Sequence, residues 1–414
     1  MKVVIMAGGK GTRIASVNAD VPKPMIPIDG KPILEYQINA LAAQGYCEII
    51  LIIGHLGHVI RDYFEDGSKW NVQISYIEEN TPLGTAGALF YLKEQITDAF
   101  LLLNGDIIFD VDIRRFLAYH KAQGTMATIL THPNSHPYDS GIIVADNDGR
   151  ATNWLHKEDP RLWYRNRVNA GLHMLSPRIF SLFPDLQKKD LDRDILKPLI
   201  IQRELSVYDS PEYIKDMGTP DRYYSVIEDI HSGKVAAKNL ARKQKAIFLD
   251  RDGTINKYVG FLTNIDEFEL LDGVAEAIRQ INESGYLAIV ASNQPVIARG
   301  EVSPEELQEI HNKMETLLGQ KGAYLDAIFY CPHHPHKGYE GERPEYKIEC
   351  ECRKPKPGML LAAAEKYNID LTQSWMIGDS DNDIEAGQAA GCRVIKVNTN
   401  SSELSSAVKM ILEK

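Results

Sequence analysis

The sequence is poor in cysteine and lacks long apolar runs. Its 414 residues include only 5 cysteines, too few for a disulfide framework in a chain of this length. No apolar stretch approaches the roughly 20 residues that a bilayer-spanning helix needs. The run Val3–Met6 is too short for a secretory signal and leads directly into a glycine-rich segment. The sequence therefore predicts a cytoplasmic protein with no membrane partner.

An excess of positive charge is also missing. Asp and Glu number 57 against 46 Lys and Arg, which gives a formal net charge of -11. Proteins that bind nucleic acid obtain much of their affinity from clustered Lys and Arg, so nucleic acid is not an expected partner. Small phosphorylated substrates stay possible, because a local group of cations or a metal can hold them in an acidic protein.

The length and the composition predict two folded domains. An apolar fraction of 44% and a charged fraction of 25% are typical of globular proteins, and single cores seldom grow beyond about 250–300 residues. A basic stretch poor in large apolar residues follows Ile230. We therefore predict a first domain over residues 1–233, a linker over 234–244 and a second domain over 245–414.

Short apolar runs alternate with amphipathic stretches in both halves, which predicts βαβ units and mostly parallel sheets. In the first half these runs are Val3–Met6, Ile33–Ala43, Glu48–Ile53, Ala86–Leu92 and Phe100–Leu103. In the second half they are Ala246–Leu249, Leu287–Ala291, Ala327–Tyr330, Trp375–Ile377 and Val394–Val397. The fold class is therefore α/β with two domains that are not copies of each other.

A glycine-rich loop directly after the first strand predicts a phosphate-binding site. Gly8, Gly9 and Gly11 precede Thr12 and Arg13, and glycines let backbone N–H groups approach a phosphate chain closely. The spacing matches neither the Walker loop nor the dinucleotide fingerprint.

A lysine held between prolines follows this loop. Pro22 and Pro24 flank Lys23, and proline fixes the backbone on either side of the cation. Taken alone, a lysine between turn prolines is as often an ordinary surface residue as a phosphate-binding one.

The glycine loop followed by Pro-Lys-Pro-Met resembles the sugar-1-phosphate nucleotidyltransferases, and especially their mannose- and heptose-1-phosphate guanylyltransferase branch. The resemblance spans about residues 1 to 230 and implies a Rossmann-like mixed sheet. It extends to the segments Glu79–Gly87, Leu103–Asp106, Asn169–Gly171 and Lys215–Pro220.

Several roles follow from this resemblance. Asp106 and Asp216 would hold Mg²⁺, while Arg13 and Lys23 would neutralise the triphosphate and the transition state. The residues expected to bind substrate are Gly8, Gly9, Gly11, Thr12, Gly84, Thr85, Lys157, Asn169 and Gly171. Where the family commonly has Glu-Lys, this chain has His156-Lys157-Glu158, which displaces the carboxylate.

Two carboxylates at the end of a strand mark the second site. Asp250 and Asp252 follow the apolar run Ala246–Leu249, at the end of a strand where open α/β sheets bind ligands. Asp-x-Asp-Gly-Thr resembles the first motif of the haloacid-dehalogenase phosphatases. The resemblance implies that Asp250 attacks phosphorus and Asp252 is the acid and base.

The other motifs of that family follow in order. Ser292, Asn293, Gln294, Arg353 and Lys354 would bind the phosphoryl group and substrate. Asp379 would complete a Mg²⁺ site with Asp250 and the backbone of Asp252, and Asp383 would orient it.

Three of the 5 cysteines, together with a histidine, suggest a second kind of metal site. Cys331, His333, Cys350 and Cys352 supply four ligands at spacings that suit a closed, structural tetrahedral Zn²⁺. Cys47 and Cys392 have no neighbours at ligand spacing, and we expect them to be small buried hydrophobic residues.

The zinc loop and the Asp-Arg-Asp-Gly-Thr motif together resemble the capless D-glycero-D-manno-heptose 1,7-bisphosphate phosphatases over about residues 245 to 400. The second domain is therefore expected to be a capless haloacid-dehalogenase-like Rossmannoid domain with a zinc loop.

Both resemblances imply consecutive steps on one chain. Removal of the 7-phosphate would leave a heptose 1-phosphate, which the first domain would join to a nucleotide, with GTP as the expected donor. The alternatives are a mannose-1-phosphate guanylyltransferase fused to a phosphatase of other specificity, such as one for histidinol phosphate, and a sugar-nucleotide sensor without activity.

Overall fold

The computed structural model describes residues 1–9, 21–338 and 340–413. The chain divides into two compact units. The first unit consists of Met1–His132, Ile143–Trp154 and Asn169–Ala236, and the second unit of Pro133–Ile142, Leu155–Val168 and Ala237–Lys414. None of the helices in these ranges is long and apolar enough to cross a membrane.

Strands and α-helices make up the chain to residue 237. They are β1 (Val3–Met6), β2 (Pro27–Ile28), β3 (Lys31–Pro32), α1 (Ile33–Ala42), β4 (Glu48–Ile53), α2 (Gly57–Phe64), β5 (Gln73–Glu78), β6 (Phe100–Asn104), β7 (Ile107–Asp110), α3 (Ile113–Gln123), β8 (Ala127–His132), β9 (Ile142–Ala145), β10 (Ala151–Leu155), β11 (Val168–Leu175), α4 (Lys197–Ile201), β12 (Leu205–Asp209), β13 (Tyr213–Asp216), α5 (Pro220–His231) and α6 (Lys234–Ala237). The strands β8 to β11 follow one another without an α-helix between them.

The first unit is built on a mixed sheet in the order β10-β9-β11-β6-β1-β4-β5, with β8 and β12 joined to it through β11. β1 lies parallel between β4 and β6, while β11 runs antiparallel to β6. β1 is apolar throughout because both of its faces are buried. Met6 pairs with Asn104, so the glycine loop and the segment that carries Asp106 begin at the same edge.

The elements of the second half follow the predicted strand–helix rhythm. They are β14 (Lys245–Leu249), α7 (Val274–Glu283), β15 (Tyr286–Asn293), α8 (Pro304–Gly319), β16 (Ala327–Cys331), α9 (Gly358–Tyr367), β17 (Trp375–Gly378), α10 (Asp381–Ala390), β18 (Arg393–Lys396) and α11 (Glu403–Leu412).

The second unit contains a five-stranded parallel sheet in the order β16-β15-β14-β17-β18. Helices cover it through apolar stripes: Val274, Ala277, Ile278 and Ile281 of α7 recur at i, i+3, i+4 and i+7 and are buried. The strand order places the carboxyl ends of β15, β14 and β17 side by side. The mixed and parallel sheets confirm the predicted α/β class.

The second unit also includes two segments from the first half of the sequence, Pro133–Ile142 and Leu155–Val168. Arg167 is buried there and forms an ion pair with Glu315 of α8, with 3.1 Å between Nη1 and Oε1. Its Nη2 donates to the carbonyl of Asp326 at 2.9 Å. Within the stretch between the two halves, Leu240 is buried in a core cluster of the second unit.

The two isolated cysteines differ in their surroundings. Cys392 is buried, as predicted, but Cys47 is exposed, so the prediction for Cys47 is wrong. Cys47 precedes β4, whose buried positions begin only at Ile49, so its side chain stays outside the core.

Candidate active sites and metal centre

The first site lies where β7 and β13 pair. Asp216 ends β13 opposite Ile107 of β7, and the amide of Met217 donates to the carbonyl of Asp106 at 2.9 Å. This pairing brings Asp106 and Asp216, more than a hundred residues apart in sequence, to the same edge.

A cation pairs with each of these two carboxylates. Lys23, from the short 3₁₀ turn Lys23–Met25, donates to Asp106, and its own side chain is only 10% exposed. Arg222 of α5 donates from Nη1 to both oxygens of Asp216, at 3.0 and 2.7 Å. Burial acts to raise the pKa of Asp216, but the charge and hydrogen bonds of Arg222 outweigh it and hold that pKa below its ordinary value. The carboxylate is thus kept ionised, as a ligand for Mg²⁺ must be.

Gly8 shows how closely this end of β1 is packed. A Cβ at Gly8 would lie 2.6 Å from Oε2 of Glu79, so a larger residue at this position would displace the end of the Glu79 side chain. The other oxygen of Glu79, Oε1, is buried and has no hydrogen-bond partner among the described residues. Burial raises the pKa of Glu79. Gly9 lies beside Gly8, whereas the predicted residues Gly11, Thr12 and Arg13 lie outside the described residues.

The predicted sugar-contacting residues meet a short π-helix, Leu191–Leu196. The hydroxyl of Thr85, next to Gly84, accepts from the amide of Leu191 at 2.7 Å. Asn169 accepts from the amide of Gly171 at 3.1 Å and donates to Asp192 at 3.4 Å. Lys157 lies on Leu155–Val168, a segment of the second unit.

Asp192 is a candidate that sequence reasoning missed. Burial and then the neighbouring Asp190 raise its pKa to about 6. π-Helical turns are frequent at functional sites, but no sequence motif marks this one.

The second site lies at the carboxyl edge of the parallel sheet. Asp250 follows β14, Ser292 lies near the end of β15 and Asp379 follows β17. Carboxylate oxygens of Asp250, Asp379 and Asp383 all lie within 4.8 Å of one another. Gly253, at φ 88°, makes room for this cluster, because a Cβ there would lie 2.3 Å from Oδ2 of Asp379.

Lys354 is the cation at the centre of this cluster. Its buried ammonium donates to Asp250 at 2.6 Å, to the carbonyl of Ala291 at 2.6 Å and to Asp383. Asn293 fixes the lysine backbone through two hydrogen bonds, at 2.9 and 3.0 Å. Burial raises the pKa of Asp250 against the opposing charge of Lys354. The oxygens of three neighbouring carboxylates are a set of ligands that fits Mg²⁺.

The carboxylate of Asp252 takes part in a different set of contacts. Arg251, Asn256 and Gln294 all donate to it, and Gln294 also donates to Ser292 at 2.8 Å. The predicted residue Arg353 donates to the carbonyl of His333 at 3.1 Å. Sequence reasoning did not single out Arg251, Asn256 or Arg222, because arginine and asparagine beside a motif carry no signal of their own.

The four predicted zinc ligands form one cluster. The three sulfur atoms of Cys331, Cys350 and Cys352 are separated by 3.2–3.5 Å, and Nδ1 of His333 lies 3.4 Å from Cys352 and 3.7 Å from Cys331. All three cysteines are free. Zn–S bonds of about 2.3 Å in a tetrahedron give sulfur–sulfur edges of about 3.8 Å, so the cluster can hold a metal with small adjustments. The contact between Cys331 and Cys352 lowers the pKa of Cys352 and raises that of Cys331, so within this pair the thiolate that binds metal is favoured at Cys352.

Comparison with known proteins identifies both halves. The nucleotidyl transferase family model matches residues 2–233, and a HAD-hydrolase-like model matches residues 351–411. D-glycero-beta-D-manno-heptose-1,7-bisphosphate 7-phosphatase of Pasteurella multocida is 46% identical over 147 residues, which cover 36% of this chain and 77% of that protein. The Escherichia coli K12 enzyme of the same name is 42% identical over 151 residues, 36% of this chain and 77% of that protein.

A solved structure resembles the first half. HddC from Yersinia pseudotuberculosis, complexed with GMP-PN, has 29% sequence identity and a TM-score of 0.48, and the match covers 55% of this chain and 99% of that one.

The two family models and the heptose bisphosphatases confirm both family resemblances found in the sequence. The chain is a nucleotidyltransferase joined to a HAD-type phosphatase: it belongs to the nucleotidyl transferase family through residues 2–233 and, through its second half, to the family of the D-glycero-beta-D-manno-heptose-1,7-bisphosphate 7-phosphatases.

Proposed function

We propose that this enzyme catalyses two consecutive steps in the synthesis of a nucleotide-activated heptose. The second half removes the 7-phosphate of D-glycero-D-manno-heptose 1,7-bisphosphate, and the first half transfers GMP from GTP to the resulting heptose 1-phosphate, with release of pyrophosphate. The observation that carries the proposal is the presence, in one chain, of a close relative of the heptose bisphosphatases and a nucleotidyltransferase that needs a sugar 1-phosphate. These relatives favour heptose over histidinol phosphate.

The phosphatase step begins at Asp250. One oxygen of Asp250 bonds to phosphorus while the bond from phosphorus to the sugar oxygen breaks, and Asp252 gives its proton to that leaving oxygen. Water then attacks the aspartyl phosphate and gives a proton back to Asp252, which releases phosphate and restores Asp250. Lys354, hydrogen-bonded to Asp250, stabilises the charge of the phosphoryl group, and Ser292 donates a hydrogen bond to it.

The crowded carboxylates are the proposed Mg²⁺ site of this half. Asp250, Asp379 and the backbone carbonyl of Asp252 would hold the ion, while Asp383 fixes Lys354 and the amide of Ser380, which donates to it at 3.0 Å. When bound, Mg²⁺ neutralises charge on the phosphoryl group and lets two carboxylates approach it.

The transferase step requires charge neutralisation along the triphosphate. The oxygen of heptose 1-phosphate attacks the α-phosphorus in line, and the bond to the pyrophosphate oxygen breaks. We assign Asp106 and Asp216 to Mg²⁺, which would stabilise the developing charge when bound. Lys23, which contacts Asp106, and Arg13 are the cations that we assign to neutralising phosphate oxygens. Gly84, Thr85, Asn169 and Gly171 are the proposed contacts of the first unit to nucleotide and sugar.

Glu79 supports guanine as the base. A carboxylate is an acceptor only, and guanine presents two adjacent donors, N1–H and the N2 amino group, that can meet both of its oxygens. Uracil presents one N–H between two carbonyls, which a carboxylate would repel. The buried Oε1 of Glu79, without a hydrogen-bond partner among the described residues, is the acceptor available for this contact.

A pair of substitutions tests the choice of base. Glu79→Gln should lower the preference for GTP over UTP, measured as a ratio of kcat/KM values, by about ten- to a hundredfold, because a charged hydrogen bond is lost and an amide donor faces a donor. Glu78→Gln is the control, since Glu78 is half-exposed and pairs with Arg61 at 2.9 Å. An unchanged preference in Glu79→Gln would remove the support for guanine.

The Cys/His cluster is the proposed structural Zn²⁺ site. Four protein ligands leave no position for a reacting water, so the ion would hold the segment between Cys331 and Cys352 in shape rather than take part in the reaction.

Two further substitutions separate the two steps. Asp250→Asn should release no phosphate from heptose 1,7-bisphosphate but should still convert added heptose 1-phosphate and GTP into nucleotide sugar. Asp106→Asn should release phosphate normally and accumulate heptose 1-phosphate. If Asp250→Asn released phosphate at the normal rate, Asp250 would not be the nucleophile.

A further inference from the structure

The carboxylate of Asp252 accepts hydrogen bonds from three side chains. Arg251 donates to Oδ1 from Nε at 3.2 Å and from Nη2 at 2.9 Å, and from Nη2 to Oδ2 at 2.8 Å. Asn256 donates to Oδ1 at 3.0 Å and Gln294 to Oδ2 at 2.8 Å. Three side chains therefore fix both the position and the plane of one carboxylate.

Arg251 approaches Asp252 from the protein side. The side chain of Arg251 is 0% exposed, whereas that of Asp252 keeps 20% exposure, so the carboxylate is open toward solvent and closed where the guanidinium lies. A buried cation that loses its partner strongly destabilises the fold. Asp252 is therefore kept beside Arg251. Burial acts to raise the pKa of Asp252, but the charge of Arg251 and the hydrogen bonds to the carboxylate outweigh it and hold that pKa below its ordinary value.

The other end of the guanidinium is fixed by His311 of α8. Nη1 of Arg251 and Nε2 of His311 are 3.3 Å apart, and the imidazole is buried and in ring contact with Tyr330 at 5.5 Å between centroids. Burial and then the charge of Arg251 lower the pKa of His311 to about 3, so the ring is neutral and its Nε2 accepts the hydrogen bond. The chain of contacts runs from α8 through His311 and Arg251 to Asp252.

We propose that Arg251 and His311 are positioning residues for the acid and base Asp252, an inference that rests on the proposed phosphatase function. Asp252 transfers a proton in both halves of the reaction, and proton transfer needs a hydrogen-bond distance to the leaving oxygen or to water. Small displacements of a reacting group are expensive in rate. The planar fork of arginine, held at both ends, restricts the carboxylate in a way that the flexible ammonium of lysine cannot.

A matched pair of His311 variants tests the proposal. His311→Leu keeps the bulk and removes the acceptor, while His311→Gln places an amide oxygen near the position of Nε2. Two substrates distinguish the effects: heptose 1,7-bisphosphate, whose alkoxide leaving group needs a proton, and 4-nitrophenyl phosphate, whose leaving group departs without one.

With His311→Leu, kcat on the heptose bisphosphate should fall by about ten- to a hundredfold, a part of what general acid–base catalysis supplies, with KM within about twofold. With 4-nitrophenyl phosphate the same variant should show a rapid first turnover of nitrophenolate, equal to the active-site concentration, followed by slow turnover, because only hydrolysis of the aspartyl phosphate still needs Asp252. His311→Gln should recover most of the lost kcat. Arg251→Lys should behave as His311→Leu does, and it provides the test if the leucine variant does not fold.

Two results would overturn the proposal: an unchanged kcat in His311→Leu and Arg251→Lys, or an equal loss on both substrates with no rapid first turnover. Asp250→Asn separates this failure from failure of the phosphatase assignment. If Asp250→Asn is inactive on both substrates while the His311 and Arg251 variants match the wild type, only the positioning role is wrong. If Asp250→Asn stays active, the phosphatase assignment itself is wrong.

Discussion

Replacing Lys354 with methionine should destabilise the second unit and abolish the phosphatase reaction. The ammonium of Lys354 is 2% exposed and lies between Asp250 and Asp383, whose side chains are 12% and 1% exposed. Removing one partner of a buried ion pair costs about 3–5 kcal/mol. At about 2–4 °C per kcal/mol for a domain of this size, the melting temperature of the second unit should fall by roughly 6–20 °C.

Thermal unfolding of the full chain measures the melting temperature, and urea unfolding, with and without Mg²⁺ at several pH values, measures the free energy of unfolding. Burial already raises the pKa of Asp250 above its ordinary value. In the variant, Asp250 therefore lowers the stability of the fold at any pH where its carboxyl is ionised in the unfolded chain. The loss of stability should therefore be largest at neutral pH and should shrink as the pH falls toward about 4, where carboxyls take up protons. Mg²⁺ should restore part of the lost stability, because it binds only the folded cluster.

Lys356→Met is the matched control, because Lys356 forms a half-exposed pair with Glu351, 46% and 85% exposed, at 2.9 Å. Such exposed pairs contribute little to stability. If Lys354→Met were as stable as Lys356→Met at neutral pH without Mg²⁺, the buried charges would not be paired as described.

Three further predictions concern other buried groups. Asp192→Asn should make the first unit more stable at pH 7.5 by up to about 3 kcal/mol, since a pKa raised to about 6 means that folding opposes ionisation; urea unfolding should show the gain disappear below pH about 4, and a gain independent of pH would contradict this. Cys350→Ser should lower the zinc content measured by mass spectrometry and the melting temperature of the second unit, whereas equal zinc content in variant and wild type would exclude Cys350 as a ligand. Arg167→Met should destabilise the second unit by about 3–5 kcal/mol, because the buried carboxylate of Glu315, 1% exposed, loses this cation. The effect is expected in the second unit although residue 167 lies within the sequence matched by the nucleotidyl transferase model. Thermal unfolding in which only the first unit lost stability would refute this prediction.

The positions of motifs along parallel strands were predictable from the sequence. Asp250, Ser292 and Asp379 each follow or end an apolar run, and parallel strands present their carboxyl ends at one edge. The apolar runs and the polar residues that end them show where the strands end. The proximity of these three residues could therefore be predicted without tertiary information. The spacing of Cys331, His333, Cys350 and Cys352 likewise restricts their separation, and the structure brings the four together.

Partners that act through burial were not predictable in the same way. Arg222, His311 and Asp192 belong to no sequence motif. Each is a candidate because of a contact that only the folded structure shows: Arg222 with Asp216, His311 with Arg251, and Asp192 with Asn169. The assignment of Leu155–Val168 to the second unit also has no signal in local composition. Burial of Cys47 was predicted wrongly because an isolated cysteine resembles a core residue in sequence, whereas its place before β4 leaves it exposed.

The most direct test of the central claim is a ³¹P NMR time course of the wild-type enzyme with heptose 1,7-bisphosphate, GTP and Mg²⁺. If the two steps are consecutive, the resonance of the 7-phosphate disappears first as inorganic phosphate grows. The sugar 1-phosphate resonance is then replaced by the paired resonances of a nucleoside diphosphate sugar, together with pyrophosphate. Loss of the 1-phosphate before the 7-phosphate, or release of phosphate without formation of a nucleotide sugar, would contradict it.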